Sequence, residues 1–126
     1  MSIIKAFNEH FEEFVTDIKR VFPNDLDIAT AHNALLMLKK NNPKLILITF
    51  RDCVAKPYKE QIEKSDISFF INKDYNKDFN IEGETNSLII SKIDTLREPV
   101  SKMTKEEQNK VIEYIQNLTK LSELYV

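Results

Sequence analysis

The chain has 126 residues, enough for one domain with its own core, and its 42% hydrophobic and 30% charged content is that of an ordinary globular protein. A formal charge of -2 argues against a basic nucleic-acid binder, and the share of apolar residues argues against a disordered tail. One cysteine excludes an internal disulfide, one glycine cannot supply a Gly-rich phosphate loop, and two histidines are too few for a structural Cys/His zinc site.

In chain order, Ile4, Phe7, Phe11, Phe14, Val15, Ile18, Val21 and Phe22 recur every three or four positions, which predicts one apolar stripe on a first helix. Pro23 ends it, because the residue before a proline is pushed out of the helical region and proline has no N–H to donate. Asn24 or Asp25 is placed to cap a second helix, with Ile28, Ala31, Leu35 and Leu38 on one face and Lys39 and Lys40 at its dipole-negative end. Asn42 then reads as the cap of a third helix, with Pro43 at its first position.

Leu45 to Phe50 fits a buried strand as well as a buried helix, and the Asn-Pro start and its continuation to Val54 favour helix. Pro57 breaks the run, and Tyr58 to Lys64 reads as a short helix with Tyr58 and Ile62 inward. Across residues 66–72 a short helix capped by Asp66 is preferred to a lone strand, which would leave backbone groups unpaired. Asn76 to Asn86 reads as an exposed loop.

Asn86 or Ser87 opens a further apolar run through Ile89, Ile90, Ile93 and Leu96 that ends before Pro99. Thr104 and Glu107 satisfy the capping-box spacing for a last helix, with Val111, Ile115, Leu118, Leu121 and Tyr125 as its stripe and Tyr114 and Leu124 at the margins. The sum is an all-α, bundle-like single domain over residues 1–126, with five or six helices and residues 66–72 as the one segment open to an irregular or β reading. Helices at the two ends of such a chain are expected to pack together or to flank a central one.

Candidate chemistry is sparse. His10 lies three residues before Glu13, a spacing that puts both on one helix face, but the further carboxylates and second Glu-x-x-His of a di-metal bundle are missing. His10 therefore reads as a surface or boundary residue and His32 as a packing residue. Cys53 reads as a buried inert thiol, because no protease or redox signature surrounds it. No catalytic, cofactor or metal site is expected.

For binding, Tyr58, Tyr75 and Phe79 offer aromatic surface beside mixed charges, the chemistry of protein contacts. Lys39, Lys40, Lys44, Lys56 and Lys59 form a modest basic edge for nucleic acid, diluted by Asp52, Glu60 and Glu63. The leading expectation is a non-enzymatic interaction or structural protein that binds a protein partner or itself. A nucleic-acid accessory factor is the alternative.

No apolar run approaches the roughly 18 residues of a membrane span. Lys5, Glu9, Glu12 and Glu13 interrupt the order of a signal peptide, so an intracellular setting is expected. The string Phe14-Val15-Thr16-Asp17-Ile18-Lys19-Arg20-Val21-Phe22-Pro23, the Lys56-Pro57-Tyr58 turn, the Phe69 to Tyr75 run and Tyr114-Ile115-Gln116-Asn117-Leu118 together resemble short helical proteins encoded by large DNA viruses. That resemblance implies a protein acting in the cytoplasm or nucleus of infected cells, or inside virions, and transfers no functional residue.

Overall fold

The computed structural model describes residues 2–71, 91 and 94–125, which contain seven α-helices, one π-helical segment and no strand. The first helix, α1 (Ile3–Val21), starts where Ser2 accepts a hydrogen bond from the Lys5 amide, and it ends as expected before Pro23. Phe7, Phe11, Phe14, Val15 and Ile18 are buried along it. Val21, assigned to the same stripe, is 38% exposed, because the chain turns away at Phe22 and no element among the described residues covers it fully.

Asp25 supplies the cap of α2 (Leu26–Asn41), its carboxylate accepting from the amides of Asp27 and Ile28 at 2.9 and 3.2 Å. Ile28, Ala31 and Leu35 face the core, and Leu38 is half-buried. The third helix begins two residues later than Asn42-Pro43 predicts: α3 (Leu45–Phe50) has Lys44 at its cap position without a side-chain bond. Asn42 instead closes α2, and its carbonyl accepts from the Leu45 amide, so Pro43 sits in the turn.

The run Leu45 to Phe50 is helical, which decides the strand-or-helix ambiguity. It passes into a π-helical segment, Arg51–Ala55, in which the Lys56 amide reaches back five residues to the Arg51 carbonyl at 3.0 Å. Pro57 gives the physical reason for the widening: it has no N–H to continue the ladder, and its ring crowds the carbonyl four residues earlier. After that break comes α4 (Lys59–Glu63), with Ile62 buried. Its end is a Schellman arrangement in which the Asp66 amide bonds Gln61 and the Ser65 amide bonds Ile62, with Ser65 at φ 59 where glycine is usual. Gln116 steadies that turn by donating to the Ile62 carbonyl at 2.9 Å and to the Ser65 hydroxyl at 3.0 Å.

Asp66 caps the single turn α5 (Ser68–Ile71), its carboxylate accepting from the Ser68 amide at 3.0 Å, so the helical reading of these residues holds. The loop read at Asn76 to Asn86 and the stripe positions Ile89, Ile90 and Ile93 lie outside the described residues. Asp94 and Thr95 are helical and the fully buried Leu96 is in a turn, so that run ends before Pro99 as expected; a separate short helix, α6 (Arg97–Ser101), follows and carries Pro99 at its third position. First-turn amides have no partner within a helix, so a proline there forfeits nothing.

The last helix, α7 (Lys105–Leu124), opens on the expected capping box: the Glu107 amide donates to Thr104 Oγ1 at 3.1 Å, and the Thr104 amide donates to Glu107 Oε1 at 3.0 Å. Replacing Thr104 by alanine is expected to lower stability by about 1 kcal/mol, read as a fall in urea midpoint, with Glu107→Ala causing most of the same loss. The buried face holds Val111, Ile112, Ile115, Leu118, Thr119 and Ser122, while Leu121 and Tyr125 are only half-buried.

One continuous core joins these helices. At its centre Phe7 stacks on Phe11 at 6.0 Å and meets Phe50 edge-on at 5.6 Å, while Phe14 leads outward to Tyr114 of α7. The α1–α7 pairing is the most extensive among the described residues, so these two helices do pack together. No helix among the described residues is long and apolar enough to cross a membrane.

Candidate functional site

Where α1 meets α7, one groove runs along the outside of the pair. At its closed end Phe14, Ile18, Val21, Met103 and Val111 form an apolar floor beneath the charged rim residues Asp17, Arg20, Glu107 and Lys110, enclosing about 180 Å³. Tyr114 and Asp17 line this end and also the two shallower stretches beside it, one lined by Glu9, Glu12 and Glu13, the other by His10, Glu113 and Asn117.

The middle of the groove is a small polar network. The Tyr114 hydroxyl donates a short hydrogen bond to Asp17 Oδ2, and Asp17 Oδ1 accepts from Arg20 Nη1 at 3.0 Å. Burial, followed by the bond and negative charge of Asp17, pushes the Tyr114 hydroxyl up to about 12, so it keeps its proton throughout the neutral range. Its ring lies 4.9 Å from that of His10, whose Nδ1 is 3.5 Å from Glu13 Oε2. His10 Nε2 is buried without a hydrogen-bond partner, which makes His10 the boundary residue expected. A tyrosine locked as a donor is suited to positioning and contact rather than to acting as a base.

The other histidine sits between α1 and α2 beside Asn8, Glu12 and Lys39. Both its ring nitrogens are buried without a partner, and burial, then the positive charge of Lys19, lower its pKa against the opposing pull of Glu12. Lys39, the remaining charge on that side, is tied to Glu12 at 2.9 Å. The unfolded chain, with His32 near its ordinary value of 6.5, takes up a proton more readily than the folded chain does. Stability is therefore expected to be full above that value and to decline as pH falls below it; urea melts across this range should show the slope, and His32→Leu should flatten it.

Cys53 is half-buried rather than buried, and burial, with Asp52 beside it, raises its thiol pKa. Arg51 does not serve the sulfur: its guanidinium pairs with Asp52 at 3.1 Å, donates to the Tyr125 carbonyl at 3.3 Å and lies over the Tyr125 ring. Among the described residues no group of three or more His, Cys, Asp or Glu side chains is placed to hold a metal ion.

The binding residues read from sequence are not brought together with this groove. Tyr58 is half-buried and its ring stacks on Phe69 at 5.3 Å, so that ring face serves packing. Tyr75 and Phe79 lie outside the described residues. Of the basic edge, Lys39 pairs with Glu12, Lys56 with Asp52 at 3.5 Å and Lys59 with Glu123 at 3.4 Å, which drains the positive field that phosphate binding relies on. Lys40 and Lys44 stay exposed with no carboxylate partner among the described residues.

The sequence pattern puts Tyr114 at a stripe margin and Asp17 on the solvated face of the first helix. They stand 97 positions apart, so no local spacing signals their bond. Compared with known proteins, the chain matches no family model, no curated protein and no solved structure.

Proposed function

We propose that the protein is a non-enzymatic helical module for protein–protein contact and that the α1–α7 groove is its contact face. One observation carries the reading: a recess of about 180 Å³ in which exposed Val21 lies beside the buried Phe14, Ile18, Met103 and Val111 under a charged rim, with Tyr114 fixed as a hydrogen-bond donor at its middle. Apolar anchors ringed by polar groups are the usual anatomy of a binding hot spot, and tyrosine supplies contact area at small entropic cost. The raised thiol of Cys53 and the protonated Tyr114 support a binding role over nucleophilic or base chemistry. A place inside infected cells or virions, as the viral resemblance implies, suits such a module.

The test is photo-crosslinking from a probe residue at Lys110 on the rim, with a probe at exposed Lys102 as control, in extract from the native source. A protein adduct is expected only from the rim probe. It should disappear on Val21→Asp, a substitution at an exposed floor position that leaves the core intact. Equal adducts from both probes, or an adduct indifferent to Val21→Asp, would refute the reading.

A further inference from the structure

Two large apolar side chains on α2 stand in solvent: Leu26 is 80% and Met37 is 65% exposed. They belong to one face. At 100° per residue, Leu26, Thr30, Asn33, Met37 and Lys40 fall in a single line along α2, and all five are exposed. No element among the described residues covers this line, and it ends in Lys40 followed by Lys44 just past the helix, the two edge lysines that have no carboxylate partner. The face thus offers an apolar knob with positive charge on its C-terminal side.

The α1–α7 groove is the counterpart. Its apolar end exposes Val21 above the buried Ile18, and it becomes acidic toward the start of α1 through Asp17, Glu13 and Glu9. Of those acids, Asp17 is neutralised by Arg20, whereas Glu13 and Glu9 are exposed, and among the described residues Glu13 pairs only with the imidazole of His10. From Ile18 back to Glu13 is about 7.5 Å along the helix, and from Met37 to Lys40 about 4.5 Å, a difference that a lysine side chain spans.

From this match we infer that the chain associates with itself head to tail, the Met37 knob of one copy seated on the apolar end of another copy's groove. Lys40 and Lys44 then lie against Glu13 and Glu9. The inference rests on the groove being a contact face and adds that a second copy is an occupant. Knob and groove are different surfaces of the same chain, so each bound copy still presents one free knob and one free groove, and assembly continues until geometry closes a ring. Lys110 and Arg20 are the like charges on the rim: Lys110 also lines the stretch beside Glu13 and Arg20 the stretch beside Glu9, so both oppose the docking lysines and limit the attraction.

Sedimentation equilibrium of the full chain tests this, up to about 1 mM, the weak end of specific association. The weight-average mass is expected to climb with concentration from 14.8 kDa past twice that value, less steeply in high salt. Lys40→Glu with Lys44→Glu in one protein, and Glu9→Lys with Glu13→Lys in another, should each sediment as monomers, and mixing the two should restore association by pairing the swapped charges. Met37→Glu should also give a monomer. All these positions are exposed, and an unchanged helical spectrum for each variant shows that folding is not the cause.

A mass fixed at the monomer value across the range would overturn self-association, and so would an association indifferent to the charge swaps. In either case a rim crosslink to a different protein would leave the contact-face reading standing.

Discussion

Phe7→Ala is expected to remove about 3–5 kcal/mol of stability, the range for deleting a fully buried aromatic ring. Phe7 has no exposed surface, lies against Phe11 and Phe50, and joins α1 to α3 at the centre of the core. The hole left behind cannot collapse easily, because the surrounding rings are fixed on two different helices. A domain of this size has roughly 5–15 kcal/mol in all, so the variant should melt on the order of 10–20 °C lower.

Val21→Ala makes the matching control. It belongs to the same sequence stripe, yet its side chain is 38% exposed, and its loss should stay within about 0.5 kcal/mol. Thermal and urea melts of the pair measure where the stripe ends. Similar losses in both would mean that the C-terminal turn of α1 packs differently from the arrangement described.

That contrast marks what the sequence could convey. Period alone separated the core face of α1 from its solvated face and placed its end at Pro23, because both depend on local sterics and on burial repeated every turn. The Thr104–Glu107 cap was legible for the same reason, being a reciprocal bond between groups three residues apart. Period overreached at Val21, which is 38% exposed, and at Tyr125 the stripe is only half-buried, its ring covered by the Arg51 guanidinium.

It also fell short on α7, where Thr119 and Ser122 are buried among apolar residues. Each hydroxyl donates to a carbonyl of its own helix at 2.8 Å, so neither arrives in the core unsatisfied. The candidate site was the least legible part. The Tyr114–Asp17 bond and the apolar floor arise only when residues from opposite ends of the chain meet, and no pattern within either helix encodes that meeting. Of the aromatic residues that drew attention instead, Tyr58 has its ring stacked on Phe69 of the core.

Asn8 shows how strongly such a long-range polar contact can matter, and Asn8→Asp is the substitution that exposes it. The residue is 4% exposed, and its amide nitrogen donates to the Pro43 carbonyl at 2.7 Å, tying α1 to the turn between α2 and α3. Aspartate has almost the same shape but, when ionised, no donor. Near neutral pH it would aim a buried negative charge at a carbonyl oxygen, a loss of about 3–5 kcal/mol.

The protein can relieve that loss only by keeping the new carboxyl protonated, which raises its pKa above the ordinary carboxylate range. A protonated carboxyl has an O–H to give to Pro43, so as pH falls through the raised value the variant should recover most of its deficit. This slope is opposite to the one expected from His32, which weakens the parent protein in acid, so the two stability curves should converge as the solution is acidified. Asn8→Ala removes the donor without adding a charge, so its deficit should be smaller, about 1–3 kcal/mol, and independent of this titration. If the aspartate and alanine variants were equally stable at every pH, Asn8 could not be buried against Pro43 as described, and the seam between α1 and the α2–α3 turn would have to be open to water.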